Sequence, residues 1–363
     1  MDYKQNAKLN LCFIIVGFAG GGAEKQCIHL LNEFQNDPEV EVHLIHFYEG
    51  VNFEFLDQRN LHRHQLDTNS FYNPLNILKV LRIVKQIKPD ILFTWLQAAD
   101  VYAYFIRKLY HKIKWVIAER NAQFPNDMRF KLRYITGRTA DMVIANSEPG
   151  KKYWLGKGVD DQKLRTIRNI TLKINSVATD EIQGKPLILF AGRFEEQKNV
   201  LILTRAFCKL ANEHPEGRFY LIGDGSLKDE VKEIIKNSNK EEQVLIIPFK
   251  KNITSFFAAA DVFVNISLYE GMPNTVIENV NLKKRIVVSN IKEHRDFLGD
   301  DYPFYVNDLN DVDEVCLRIE ESLAVNDKEL YLKNALTLIE EMTPQTITAL
   351  YKNAFLNVIG NGN

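Results

Sequence analysis

Cysteine is scarce in this chain. The four present, Cys12, Cys27, Cys208 and Cys316, are scattered, with no C-x-x-C pair and no metal-ligand spacing. That argues against a structural zinc or a disulfide framework and for a reduced compartment. No apolar run approaches the roughly 18 residues that span a bilayer. The stretch from Leu11 to Ala19 is apolar, but a glycine cluster and a charged segment follow without a cleavage context, so no secretory leader is expected. Low-complexity tracts and short repeats are absent. None of the eight histidines falls in a metal-like pair on a helix. His62 and His64 alternate as on a strand, which puts both on one face, where they are expected to be solvated. The net charge of −1 leaves no overall excess of one sign to mark a nucleic-acid binder.

What is present is enough for two cores. The 363 residues are 45% hydrophobic, and that length corresponds to about two domains. Strand-like runs at 9–16, 40–47, 90–95, 114–118 and 141–145 alternate with amphipathic segments such as 74–88, where Ile77, Leu78, Leu81 and Val84 share a face. Pro74 suits its first turn and Pro89 ends it. A second series runs at 187–191, 218–222, 243–248, 261–266 and 285–289, with helices predicted over 200–212 and 227–237. This alternation predicts two doubly wound α/β domains with parallel sheets. A polar, aperiodic stretch at about 171–185 reads as the linker, and 344–359 as a terminal helix.

The most informative motif follows the apolar run Val262-Phe263-Val264-Asn265-Ile266. Glu270 and Glu278 stand eight residues apart around the turn Gly271-Met272-Pro273, which leads through Asn274 and Thr275 into a helix. Free N–H groups at such a helix start can hold phosphate. Glu278, about one turn inside, can accept hydrogen bonds from two neighbouring sugar hydroxyls, and Glu270 can reach another polar group of the same ligand. Solvated helix ends are the alternative. A second cluster runs from Gly192 through Arg193 to Lys198 in a strand-to-helix loop, and its two cations suit a diphosphate. A surface Arg–Glu–Lys network is the alternative there. A third is the loop Gly17 to Lys25, whose Gly21 and Gly22 let backbone approach a ligand at the positive end of a helix. It does not fit a G-x-G-x-x-G register, because the third position after Gly22 is Lys25. Gly223-Asp224-Gly225 marks a strand-to-turn transition in which Asp224 is expected to cap the following helix.

These segments together resemble the retaining glycosyltransferases of family 4, strongly over 187–297 and loosely before. The resemblance rests on the Glu-x7-Glu motif, the G-R-x-x-x-x-K pattern, the Gly-Gly-Ala-Glu loop and the G-D-G turn. It implies the GT-B fold, two facing Rossmann-like domains here placed at 1–172 and 184–342. Ligands would sit between them, and a helix at 343–363 would cross back onto the first domain. It implies that Glu278 binds the nucleotide ribose, Glu270 the transferred sugar, and amides near Asn274 and Thr275 the distal phosphate. Arg193 and Lys198 would hold the donor diphosphate. Gly21 and Gly22 would face the phosphates and acceptor, Gly192 and Gly223 would lie near the nucleotide, and the base would rest near Phe249. Where many relatives have a catalytic-site histidine this chain has Glu119-Arg120-Asn121, so Glu119 or Arg120 would orient the acceptor, or form a structural ion pair.

The implied activity is metal-independent retaining hexosyl transfer from a nucleotide sugar, taken as a UDP-sugar, to an oligosaccharide or lipid-linked acceptor in bacterial surface-polysaccharide synthesis. No cofactor is expected. A nucleotide-sugar epimerase of related architecture and a non-catalytic nucleotide-sugar-binding subunit are the rival readings. Residues 101–170 hold 15 Lys and Arg against 6 Asp and Glu, a local balance of +9, interleaved with aromatics. That region is expected to meet an anionic membrane at the cytoplasmic face, with an ordinary solvated surface as the alternative. No nucleic-acid module is recognisable.

Overall fold

The computed structural model describes residues 8–68, 70–121, 128–175, 177–327 and 329–360, with the side chains of Met128 and Arg129 outside that description. The part of the basic region at 122–127 therefore lies outside the described residues. The chain divides into two compact units, Met1–Ile170 with Met342–Asn363, and Thr171–Glu341.

The first unit contains β1 (Leu9–Ile15), β2 (Val40–His46), β3 (Leu61–Gln65), β4 (Ile91–Trp95), β5 (Lys114–Glu119), β6 (Met142–Ala145) and β7 (Leu164–Thr166). They form one parallel sheet in the order β3-β2-β1-β4-β5-β6-β7. Side chains alternate across it. Leu11, Phe13 and Ile15 face the helix Gly22–Phe34 and the C-terminal helix Pro344–Gly360. Cys12 and Ile14 face the helices Leu75–Ile87 and Gln97–Leu109. Burial on both faces is why these strands read as unbroken apolar runs. The C-terminal helix is fastened by packing and by charge: the Phe355 ring packs on Phe93 and Phe34, with centroids 5.2 and 5.9 Å away. Lys352 Nζ lies 2.7 Å from both Asp37 Oδ2 and Glu39 Oε2.

The second unit contains β8 (Leu187–Ala191), β9 (Arg218–Ile222), β10 (Val244–Ile247), β11 (Val262–Asn265), β12 (Arg285–Ser289) and β13 (Tyr305–Val306). Its sheet is also parallel, in the order β10-β9-β8-β11-β12-β13. In both sheets the order reverses beside the first strand, between β1 and β4 and between β8 and β11. That is the Rossmann-like plan expected from the alternating pattern, and it opens a crevice at the carboxyl ends of those strands.

Three strands escape the periodicity. β3 is polar, and β7 and β13 are three and two residues long. The aperiodic stretch read as a linker is mostly part of the second unit. Ile182 is buried there, Thr179 N–H donates to the Ser255 carbonyl, and Gln183 N–H donates to the Tyr220 hydroxyl. His62 and His64 do share a face of β3, but their rings stack on buried His43 of β2 at 4.7 and 5.4 Å. They are therefore part of a ring stack rather than simply solvated.

Candidate active site

Two loops meet at the reversal point of the second sheet. One leaves β8 and carries Gly192, Arg193 and Lys198; the other leaves β11 and carries Ser267 to Pro273. Backbone ties them: Leu268 N–H donates to the Gln197 carbonyl at 2.8 Å, and Gln197 Nε2 donates to the Tyr269 carbonyl at 2.9 Å. The other end of Gln197 accepts from Arg193 Nη2 at 3.1 Å, so one amide holds both loops and steers the exposed Arg193.

Between the loops, Lys198 Nζ lies 2.5 Å from Glu270 Oε1. The Glu270 carboxylate is only 6% exposed and also accepts from Ser267 Oγ at 2.7 Å and Asn265 Nδ2 at 3.4 Å. Burial pushes its carboxyl up, but Lys198 and the Ser267 hydroxyl outweigh that and hold it below its ordinary value. Glu270 is thus an ionised acceptor with little freedom to move. Ser267 is itself placed from behind, since Ser289 Oγ donates to its carbonyl at 2.6 Å. His294 is fully buried and donates from Nδ1 to the Ser289 carbonyl at 2.9 Å, and its Nε2 is buried without a partner. Burial drives this histidine down to about 4, against the pull of Glu270, so it is neutral.

The helix Asn274–Asn281 follows the turn. Val276, Ile277 and Val280 bury one side of it, and Glu278 stays half-buried about one turn in. Its N-cap is Pro273, which has no polar side chain to cap the first turn at Asn274 and Thr275. After this helix Lys283 takes the left-handed position at φ +52°. Gly271 is buried and Met272 half-buried in the same turn.

Gly223, at the end of β9, braces the cation loop. Its φ is +153°, and a Cβ there would stand 1.9 Å from the Gly192 carbonyl oxygen. Phe194 N–H donates to the Asp224 carbonyl at 2.9 Å, completing the brace. Asp224 does not cap the following helix, whose N-cap is Leu227; its carboxylate pairs with Lys228 at 2.6 Å. Phe249 lies after β10 on the same carboxyl-end rim and is 45% exposed.

In the first unit Gly21 and Gly22 are exposed at the start of the helix Gly22–Phe34, which has no side-chain cap. Glu119 does not fit the acceptor-orienting reading. It is 1% exposed. Its oxygens accept from the backbone of Arg120 and Asn121, from Arg133 Nη1 at 2.7 Å and from Trp154 Nε1 at 2.8 Å. Arg133 also reaches buried Asp100 at 2.6 Å. The geometry supports the alternative, a structural ion pair, because every contact of this carboxylate points into the fold.

The structure thus brings Gly192, Arg193, Lys198, Gly223, Phe249, Glu270 to Thr275 and Glu278 to one end of the second sheet. Gln197, Ser267 and His294 were missed. Gln197 lay within the cation motif, but nothing in spacing reveals a side chain that bridges loops about 70 residues apart. Among the described residues no group of three or more His, Cys, Asp or Glu is arranged to hold a metal ion, and no helix is long and apolar enough to cross a membrane.

The basic region is partly internal. Arg107 pairs with Asp141 at 2.6 Å, and Arg133 is buried. Part of what is outward lies on three neighbouring helices, Leu75–Ile87, Gln97–Leu109 and Met128–Gly137. They expose Leu75, Leu78, Leu109 and Ile135 beside exposed Lys79, Arg82, Lys108 and Lys131.

Comparison with known proteins agrees with this geometry. Residues 173–356 match the family described as glycosyl transferases group 1, and residues 20–170 match glycosyltransferase family 4. The chain is 26% identical, over 80% of its length and 84% of the relative's, to the N-acetylgalactosamine-N,N'-diacetylbacillosaminyl-diphospho-undecaprenol 4-alpha-N-acetylgalactosaminyltransferase of Campylobacter jejuni. It is 24% identical to the lipopolysaccharide core biosynthesis glycosyltransferase LpsE of Rhizobium meliloti, over 91% of this chain and 94% of that one. The crystal structure of Anabaena HepE in complex with UDP and glucose superposes with a TM-score of 0.81 at 18% identity, covering 94% of this chain and 98% of that chain, which shows the shared fold. With more than half of its length matched and the GT-B fold in common, this chain belongs to the group 1 and family 4 glycosyltransferases.

Proposed function

We propose that this glycosyltransferase moves a hexosyl unit from a nucleotide sugar, taken as a UDP-sugar, to a lipid-linked glycan with retention of configuration and without an essential metal. The observation that carries the reading is the buried Lys198–Glu270 pair beside the start of the helix Asn274–Asn281. Lys198, Arg193 and the helix-start amides offset the charge of the leaving diphosphate. Glu270 accepts from hydroxyls of the transferred sugar and Glu278 from the ribose. The bond from the anomeric carbon to the phosphate oxygen breaks while the acceptor oxygen bonds to the same face. The acceptor's proton passes to the departing phosphate, so no protein nucleophile takes part. Arg193 and Lys198 then act by stabilising charge rather than by transferring protons.

The lipid-linked acceptor is supported by two relatives whose names specify diphospho-undecaprenol acceptors, one from Campylobacter jejuni and one from Escherichia coli. The exposed apolar and cationic face of the first unit fits the same reading, because it suits the headgroup zone of an anionic bilayer on the cytoplasmic side.

The test is a thermal-shift screen across nucleotide sugars. One donor should stabilise the wild type and fail to stabilise Arg193→Ala. Donor alone should yield no new nucleotide sugar, and donor with a lipid diphosphate-linked glycan should yield product. A panel in which no nucleotide sugar raises the Tm would overturn the proposal.

A further inference from the structure

Arg120 follows β5 at the carboxyl end of the first sheet, and among the described residues its charge has no acidic partner. Its Nη1 donates to Asn169 Oδ1 at 3.1 Å and its Nη2 to the Tyr351 hydroxyl at 2.6 Å. The guanidinium lies over the Trp95 ring, 4.3 Å from the centroid. All three partners are neutral. The adjacent carboxylate of Glu119 serves Arg133 and Trp154 instead. Among the described residues no carboxylate pairs with Arg120, and its buried Nε has no acceptor. A half-buried guanidinium held in place but left without a counter-charge is unfavourable unless an anion completes it.

A second feature converges there. Trp95, whose face Arg120 covers, donates its indole N–H to the Ala23 carbonyl at 2.9 Å, in the first turn of the helix Gly22–Phe34. One indole therefore joins the unpaired cation to the positive end of a 13-residue helix with no side-chain cap. Trp95 ends β4 and that helix follows β1, the two strands between which the first sheet reverses. A planar cation with free N–H groups suits phosphate oxygens.

We propose that Arg120 is the centre of a phosphate-binding site on the first unit that takes the diphosphate of the acceptor, using residues other than the Arg193 and Lys198 assigned to the donor. This rests on the reading of a lipid diphosphate-linked acceptor given above. Trp95, Asn169 and Tyr351 hold the guanidinium in one orientation, which leaves the remaining Nη hydrogens for the ligand.

The experiment is calorimetric titration of inorganic pyrophosphate into the full-length protein saturated with UDP. Wild type should bind pyrophosphate, and Arg120→Gln should weaken that binding by about tenfold or more while UDP affinity stays within about twofold. Arg120→Lys, which keeps the charge and loses the fork, should fall between them. It replaces the glutamine variant if that one does not fold. Pyrophosphate affinity unchanged in both variants would make Arg120 purely structural and overturn the proposal. A parallel loss of UDP affinity would place Arg120 on donor phosphate and overturn it too. Failure of the wild type to bind UDP would sink the donor reading instead, while the dependence of pyrophosphate binding on Arg120 would still decide this one.

Discussion

Lys198 Nζ and Glu270 Oε1 lie 2.5 Å apart although 72 residues separate them in the chain. Their side chains are only 16% and 7% exposed, so each charge depends on the other in a site with little water. Lys198→Ala removes the cation proposed to face the donor phosphate and leaves a buried carboxylate unanswered. Breaking such a pair costs about 3 kcal/mol, which chemical denaturation would register. Transfer activity should fall by roughly 100-fold or more. Glu270→Gln, combined with Lys198→Ala, should recover stability and leave activity low, since the neutral amide no longer needs a counter-charge.

Glu119→Ala tests the structural role assigned to that carboxylate. It takes from Arg133, which is 2% exposed, one of its two carboxylate partners and leaves the Trp154 indole without its acceptor. The expected loss is about 3–5 kcal/mol of stability. In the protein that remains folded, the KM for donor should be unchanged. A large drop in kcat with unaltered stability would restore the acceptor-orienting reading.

Gly223→Ala should be among the most damaging substitutions in the second unit. The left-handed φ and the 1.9 Å approach to the Gly192 carbonyl act together, and the combined penalty is about 3 kcal/mol or more. Thermal unfolding measures it directly. Nucleotide binding should weaken as well, because the displaced carbonyl belongs to the loop that carries Arg193.

Acid should destabilise the second unit before its carboxylates titrate. His294 is held at about 4 by burial, below its ordinary 6.5, so the unfolded chain takes up a proton that the folded chain refuses. Its contribution is complete above pH 6.5 and is lost as pH falls toward 4. Glu270, held below its usual value, adds a loss in the same direction at lower pH. His294→Gln should make the decline of the second unit's Tm between these values shallower.

Co-sedimentation with phosphatidylglycerol vesicles tests the outward face of the first unit. Binding at low salt should weaken by roughly tenfold in a Leu78→Glu/Ile135→Glu variant and fall away at high salt. Both positions are well exposed, at 59% and 65%, so the fold should tolerate the change. No affinity for anionic vesicles at low salt would remove the membrane part of the proposal.

Much of this protein is legible before it folds. Parallel strands buried on both faces must be apolar along their whole length, so β1, β4, β8 and β11 announce themselves, and the helices between them follow from their 3.6-residue period. The Glu270 to Glu278 motif and the Gly192 to Lys198 loop are local as well, because the anion-binding chemistry of a helix start needs only neighbouring residues. Edge strands such as β7 and β13 bury too little to leave a pattern.

What the chain alone determined is therefore the alternation of elements and the residue types at each loop. Which of those loops come together was decided by strand order. β8 sits beside β11 rather than beside β10, and this alone puts Lys198 against Glu270 and lets Gln197 join the two loops. Strand order likewise separated Glu119 from Arg120. Adjacent in sequence, one turns inward to Arg133, and the other lies on Trp95 with its charge unanswered. Sequence spacing reports along one dimension, whereas the direction of a side chain at a strand end depends on what the neighbouring strands bring to meet it.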